Sequence, residues 1–181
     1  MISMNCDISE VLFNEHKLQD RIRELAQQIT ADYQDKNPVI ISILKGGFVF
    51  MADLIRSITT PIEIDFLAIS SYGSGTSSSG VVKIKKDIDI DITGREVIIV
   101  EDIVDSGLSL QYIRDYINKH KPASIKVCVL LDKPKAHKID VKFEYVGFNI
   151  GTEFVVGYGL DYNEKYRNLP YIGILKKEIY S

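Results

Sequence analysis

Apolar residues in this chain repeat in two ways, at helical spacing and in short unbroken runs. Leu18, Ile22, Leu25 and Ile29 recur every three or four residues and predict an amphipathic first helix, which Asn37-Pro38 stops before the run Val39 to Leu44. That run is short and rich in β-branched residues, the signature of a strand covered on both faces. Lys45-Gly46-Gly47 then turns into a second helix, expected to carry Phe48, Met51, Ala52 and Ile55 on one face. Ile62 to Ile69, Val81 to Lys85, Val97 to Val100, Ile125 to Leu131 and Phe143 to Phe148 read as further strands, with a helix from Ser109 to about Lys119 among them. This alternation predicts an α/β fold with a mostly parallel sheet flanked by helices. No internal repeat or linker interrupts it, so residues 1–181 read as one domain. Between two of the strands, Ser71 to Gly80 contains almost nothing but Ser, Gly, Thr and one Tyr, a composition that cannot pack a core and reads as a mobile loop.

Composition narrows the classes. The 181 residues are 45% hydrophobic and 26% charged, ordinary for a globular chain with a real core. A net charge of −3 without a dense basic run argues against nucleic acid as main partner, because neutralising a phosphate backbone needs clustered Lys and Arg. Cys6 and Cys128 lie far apart, and Cys128 sits within an apolar run, so a buried thiol is expected rather than a disulfide or a zinc site. No leader-like segment and no apolar run of membrane-spanning length is seen, which makes a cytoplasmic protein the default expectation, with no membrane partner.

The chemistry concentrates after Val97 to Val100. That run leads into Glu101-Asp102-Ile103-Val104-Asp105 and then into Ser106-Gly107-Leu108-Ser109. Ligands of open α/β sheets sit at the carboxyl ends of the strands. Leu110, Ile113 and Ile117 recur at helical spacing, so Ser106, Gly107 and Ser109 fall in the turn that opens a helix. Free N–H groups and the helix dipole make such a turn an anion site. Glu101 and Asp102 would repel a phosphate directly; they suit a sugar diol, a hydrated magnesium ion, or both. Two adjacent acids at a buried strand end are costly without such a partner. A ribose bearing a terminal phosphate satisfies both halves of the motif. Asp105 at the mouth of the turn suits either helix capping or work on the ligand.

Val100 to Ser109 resembles the phosphoribosyl-pyrophosphate (PRPP) signature of type I phosphoribosyltransferases, in the form used by the purine-salvage, hypoxanthine-guanine branch. Leu44-Lys45-Gly46-Gly47, Ser70-Ser71-Tyr72-Gly73, Asp132-Lys133-Pro134 and Phe154 to Tyr162 occur in that family's order and spacing, across about residues 38 to 170. The resemblance implies the type I fold, with a small hood made from the N-terminal and C-terminal segments and a flap at about 71–80. It implies Mg2+, PRPP and a 6-oxopurine base as ligands, transfer of the phosphoribosyl group to hypoxanthine or guanine, and a homodimer or homotetramer.

The same resemblance distributes roles among residues. Asp105, Ser106, Gly107, Leu108 and Ser109 would hold the 5′-phosphate, and Glu101 with Asp102 the ribose hydroxyls and metal. Asp105 would also manage the purine N7 proton. Lys45 and Gly46 would meet pyrophosphate through backbone amides, often beside a non-proline cis peptide, with Arg167 pairing to the leaving group. Ser71 and Tyr72 would cover pyrophosphate. Lys133 would donate to the oxygen at purine C6, Phe154 would stack on the base with Ile103 opposite, and the Val155 backbone would read the purine edge. Asp161 would lie near the base and help anchor magnesium. Each has a plainer reading in isolation: a helix-opening turn for Lys45-Gly46, a snorkelling lysine for Lys133, a core aromatic for Phe154, a turn acid for Asp161, a surface arginine for Arg167 and a flexible connector for the loop. Ser109 stands where the family commonly has Thr, and either hydroxyl can bind phosphate.

Asp87, Asp89 and Asp91 alternate as in a calcium loop, but Ile92 and Ile98 occupy the places of the required glycine and glutamate, so a solvated strand face or hairpin is expected. His16, His120 and His137 lack metal-ligand spacing and are expected at the surface. Two other functions stay open: a xanthine-preferring phosphoribosyltransferase, and a regulator that senses PRPP.

Overall fold

The computed structural model describes residues 4–71 and 82–181. The strands are β1 (Ile8–Phe13), β2 (Val39–Leu44), β3 (Glu63–Ser71), β4 (Val82–Lys86), β5 (Glu96–Val104), β6 (Ser124–Asp132), β7 (Tyr145–Asn149), β8 (Val155–Val156) and β9 (Ile172–Leu175). The helices are α1 (Glu15–Asp32), α2 (Gly47–Ser57), α3 (Leu108–Asn118) and the short α4 (Lys177–Tyr180). Six strands form one sheet in the order β4-β3-β2-β5-β6-β7, parallel except where β4 runs against β3. A second, antiparallel sheet has the order β1-β9-β8 and joins the two ends of the chain.

Alternate residues of the central strands face opposite layers. On one side Ile40, Ile98, Val100, Cys128 and Leu130 pack with Leu18, Ile22, Leu25 and Ile29 of α1 and with Phe50, Met51 and Leu54 of α2. On the other, Val39, Ile41, Val97, Ile99, Val127 and Val129 pack against Leu110, Ile113 and Ile117 of α3. Val97 to Val100 are fully buried, and each such side chain contributes about 1.5–3 kcal/mol. The helix α1 starts cleanly because Asn14 Oδ1 accepts the Lys17 N–H at 2.9 Å. Cys128 is buried and free. Among the described residues no helix is long and apolar enough to cross a membrane.

Three expectations need correction. The core face of α2 is Gly47, Phe50, Met51 and Leu54, while Phe48 and Ala52 are exposed, because α1 and β5 meet the helix one position away from the stripe read in the sequence. Residues 87–91 form neither a strand face nor a hairpin: they loop over the buried Asp65, whose Oδ2 accepts the N–H groups of Asp89 and Ile90 at 2.6 and 3.0 Å. His137 is not at the surface; its side chain is largely buried against Asp132.

Candidate active site

Parallel pairing brings the carboxyl ends of β2, β5 and β6 to one edge of the sheet. The strand β5 continues beyond its apolar run because β6 continues beside it, pairing Glu101 with Val129, Ile103 with Leu131 and Val104 with Asp132. Glu101 and Asp102 therefore stand within the strand rather than past its end. Gly107 follows with φ of 80° as the cap of α3. A pocket of about 210 Å³ opens there, lined by Glu101, Ile103, Val104, Asp105, Ser106, Gly107, Ser109 and Leu110. The Leu108 N–H donates to Ser106 Oγ at 3.4 Å, and the Gln111 N–H to Gly107 O at 2.9 Å, which sets the first turn of α3 around that pocket.

The two acids are held against their electrostatic preference. Burial, with Asp102 alongside, pushes the Glu101 carboxyl well above the usual range, and its Oε2 is buried without a partner. Burial raises Asp102 to about 6, although the N–H groups of Ile103 and of Asp102 itself, and the charge of Arg167, pull the other way. Buried oxygens of this kind call for hydroxyls or a cation. Among the described residues no three His, Cys, Asp or Glu side chains cluster to cage a metal. Two carboxylates with ligand oxygens completing the shell is the ordinary way of holding Mg2+, so the donor set fits that ion.

After β2 the Leu44–Lys45 peptide is cis. A Cβ on Gly46 would stand 1.7 Å from Asp102 Oδ2, so a side chain there would displace the acid from its present place against the loop. Lys45 Nζ pairs with Glu164 Oε2 at 2.9 Å, both side chains exposed. After β6, Lys133 is buried, its N–H donates to Val104 O at 3.0 Å, and its Nζ lies 3.0 Å from Asp105 Oδ1.

The segment from β8 to β9 closes the other side. Gly159, at φ of 100°, lies so near the Lys45-Gly46 turn that a Cβ there would be 2.3 Å from Gly46 O. Arg167 donates from Nη1 to Gly159 O at 2.8 Å and pairs through Nη2 with Asp161 Oδ1 at 2.8 Å. The other Asp161 oxygen accepts the Glu164 N–H at 2.9 Å. Val155 is buried in β8, paired with Ile174. Phe154 stacks on Tyr180 with centroids 4.9 Å apart and meets Tyr162 edge-on. It belongs to the apolar cluster of Val156, Tyr166, Leu169 and Leu175, whereas Ile103 packs on the core beneath α1 and α2.

Contacts thus link Asp105 to Lys133, Asp102 to Gly46, Gly46 to Gly159, and Asp161 to Arg167. Phe154 and Ile103 are not in one cluster. Ser71 closes β3, and the rest of the flap, Tyr72 included, lies outside the described residues. Glu164, Tyr180 and the Asp132–His137 pair went unnoticed in the sequence; each is recognisable only through contacts between distant or folded-back segments.

Residues 9–163 match the phosphoribosyl transferase domain model. The hypoxanthine-guanine phosphoribosyltransferase of Streptococcus thermophilus is 51% identical over 175 residues, 97% of this chain and 97% of that protein. The bifunctional protein TilS/HprT of Listeria innocua is 54% identical over 179 residues, which are 99% of this chain and 28% of that protein, so the chain spans little more than a quarter of that relative. The crystal structure of a hypoxanthine phosphoribosyltransferase from Staphylococcus aureus aligns with a TM-score of 0.95 at 49% identity, covering 100% of this chain and 99% of that one. With its strand ends arranged as described, the chain belongs to the phosphoribosyl transferase family and has the type I fold.

Proposed function

We propose that this protein transfers the 5-phosphoribosyl group of PRPP to hypoxanthine or guanine, releasing pyrophosphate and forming IMP or GMP. The observation that carries the reading is the Lys133–Asp105 pair at the α3 turn, which holds a donor against a carboxylate that itself lines the pocket there. The Ser106 to Ser109 turn, with Asp105 and Leu108, binds the 5′-phosphate through first-turn amides and hydroxyls. Glu101 and Asp102 accept from the ribose hydroxyls. Lys45, Gly46 and Arg167 meet pyrophosphate, and Ser71 and Tyr72 cover it.

The base lies with its C6 oxygen toward Lys133. An ammonium only donates, which favours 6-oxopurines over adenine, whose amino group offers another donor. Phe154 and Ile103 enclose the ring and the Val155 backbone reads its edge. In the reaction the bond from ribose C1′ to the pyrophosphate oxygen breaks, the bond from C1′ to purine N9 forms, and the N7 proton passes to Asp105. Bond breaking runs ahead, so stabilising a cationic sugar is the main electrostatic task. Glu101, Asp102 and Asp161 would hold Mg2+, which when bound would neutralise charge on the leaving group.

The protein acts as a single cytoplasmic domain, with the β1-β9-β8 sheet as its hood, in a homodimer or homotetramer. It takes small-molecule substrates, not nucleic acid or membrane. The test offers hypoxanthine, guanine, xanthine and adenine separately with PRPP and Mg2+. Turnover of the first two with adenine inert supports the reading. Fastest turnover of xanthine would change the substrate, and PRPP binding without any turnover would favour a sensor.

A further inference from the structure

The turn that follows β6 has an anchor that none of these roles uses. Asp132, the last residue of β6, has a side chain only 8% exposed, and its Oδ1 lies 2.7 Å from His137 Nε2. The imidazole is itself 17% exposed and meets the Phe143 ring edge-on at 6.0 Å. Among the described residues, His137 is the hydrogen-bond partner of this carboxylate. A buried acid stripped of such a partner is costly, so the contact holds firmly. Between the two residues Pro134–Ala136 winds into a 3-10 turn, closed by the Ala136 N–H donating to Lys133 O at 2.9 Å. The histidine clasps this turn to the strand it leaves.

Both ends of the clasped turn touch the site. At one end Lys133 is fixed through its N–H to Val104 O and through its ammonium to Asp105. At the other, the Lys138 N–H donates to Ser106 O at 3.0 Å. Ile139 and Val141 press on Gly107, where a Cβ would stand 3.1 Å from Ile139 Cγ1 and 2.4 Å from Val141 Cγ2. The phosphate turn has independent support from β5 and from the Gln111 N–H bond to Gly107 O. Lys133 depends more on its own turn, because its ammonium has only one ion-pair partner among the described residues.

We infer that His137 is a positioning residue for base recognition: acting through Asp132, it sets the 133–138 turn and thereby the place of the Lys133 ammonium against Asp105 and the purine C6 edge. It touches neither substrate. The inference rests on Lys133 meeting the base, as proposed above, and adds the residue that aims it.

The experiment compares the parent protein with His137→Ala, His137→Gln and Asp132→Asn, reading the KM for hypoxanthine, the KM for PRPP, kcat and the thermal midpoint. Glutamine keeps an N–H donor within reach of Asp132. His137→Ala is expected to raise the hypoxanthine KM about tenfold, the scale of one charge-assisted hydrogen bond, while the PRPP KM moves less than about twofold. His137→Gln restores most of the loss, and Asp132→Asn shows the same split at smaller size. The asparagine variant carries the test if the alanine variant does not fold. Equal rises in both KM values, or an unmoved hypoxanthine KM in an active His137→Ala protein, would overturn the positioning role. A parent protein that turns over no hypoxanthine would instead overturn the functional reading, and this inference with it.

Discussion

The Lys133 ammonium lies 3.0 Å from Asp105 Oδ1, so an ion pair joins the ends of β6 and β5, at the place proposed above for the base. The sequence offers these as two residues with separate roles, whereas the structure makes them one unit. The carboxylate aims the lysine, and under the proposed function the lysine in turn keeps the carboxylate beside the purine proton it would take. Replacing Asp105 with Asn keeps the shape, weakens the pull on Lys133 and removes the proton acceptor. The expected outcome is a fall in kcat of about 100-fold, the ordinary scale of acid-base assistance, with PRPP still bound. Full turnover by the variant in a steady-state assay would remove Asp105 from the proton step.

Gly46 has no room for a side chain. A methyl group there would stand 1.7 Å from Asp102 Oδ2, and either the acid or the loop must move. Gly46→Ala is therefore expected to raise the PRPP KM by about tenfold or more, the cost of misplacing a group that binds through position, with a smaller effect on the base. Kinetics with each substrate varied in turn checks this.

The raised Asp102 carboxyl gives the free protein an unusual response to acid. Its value in the folded chain is about 6 against an ordinary 3.8, so between these values the folded state keeps a proton that the unfolded state has lost. The stability of the free protein from this site is greatest below the lower value and falls as pH rises through about 6. Asp102→Asn removes that burden and is expected to stabilise the free protein by about 1–2 kcal/mol at pH 8, while abolishing most turnover. Binding runs the other way. In the proposed complex ribose and Mg2+ would favour the ionised acid, so PRPP affinity measured by calorimetry should weaken as pH drops below about 6.

The Lys45–Glu164 pair is exposed on both sides and adds little to folding. Glu164→Gln should leave the thermal midpoint unmoved. It should also free the lysine for an anionic ligand, so that PRPP and pyrophosphate bind more tightly at low salt and the gain vanishes as salt is raised. An unchanged affinity at low salt would show that Lys45 reaches neither ligand through its ammonium.

Much of this was legible beforehand because burial writes itself into apolar spacing. Val39 to Leu44, Val97 to Val100 and the Leu18 to Ile29 stripe lie where the pattern put them, and the acids and the turn that opens α3 follow from the strand that carries them. The extension of β5 to Val104 was not legible, since it depends on β6 running alongside rather than on its own residues. The β1-β9-β8 sheet was equally hidden as strands: Ile8–Phe13 pairs with Ile172–Leu175 across almost the whole chain, and no local signal announces such a partner. The same holds for His137, which looks like an isolated surface residue until the 133–137 turn folds it back onto Asp132.

Gly159 against Gly46 reaches beyond catalysis into what variation this protein tolerates. The two residues come from opposite ends of the chain's working length, yet a side chain on Gly159 would collide with the backbone carbonyl of Gly46, an obstacle no rotamer change relieves. In a saturation library selected for nucleotide formation, both positions should return glycine, while neighbours such as Lys45 and Glu164 return many residues. A change at one of the pair cannot be rescued by a smaller residue at the other, because neither has anything left to give up.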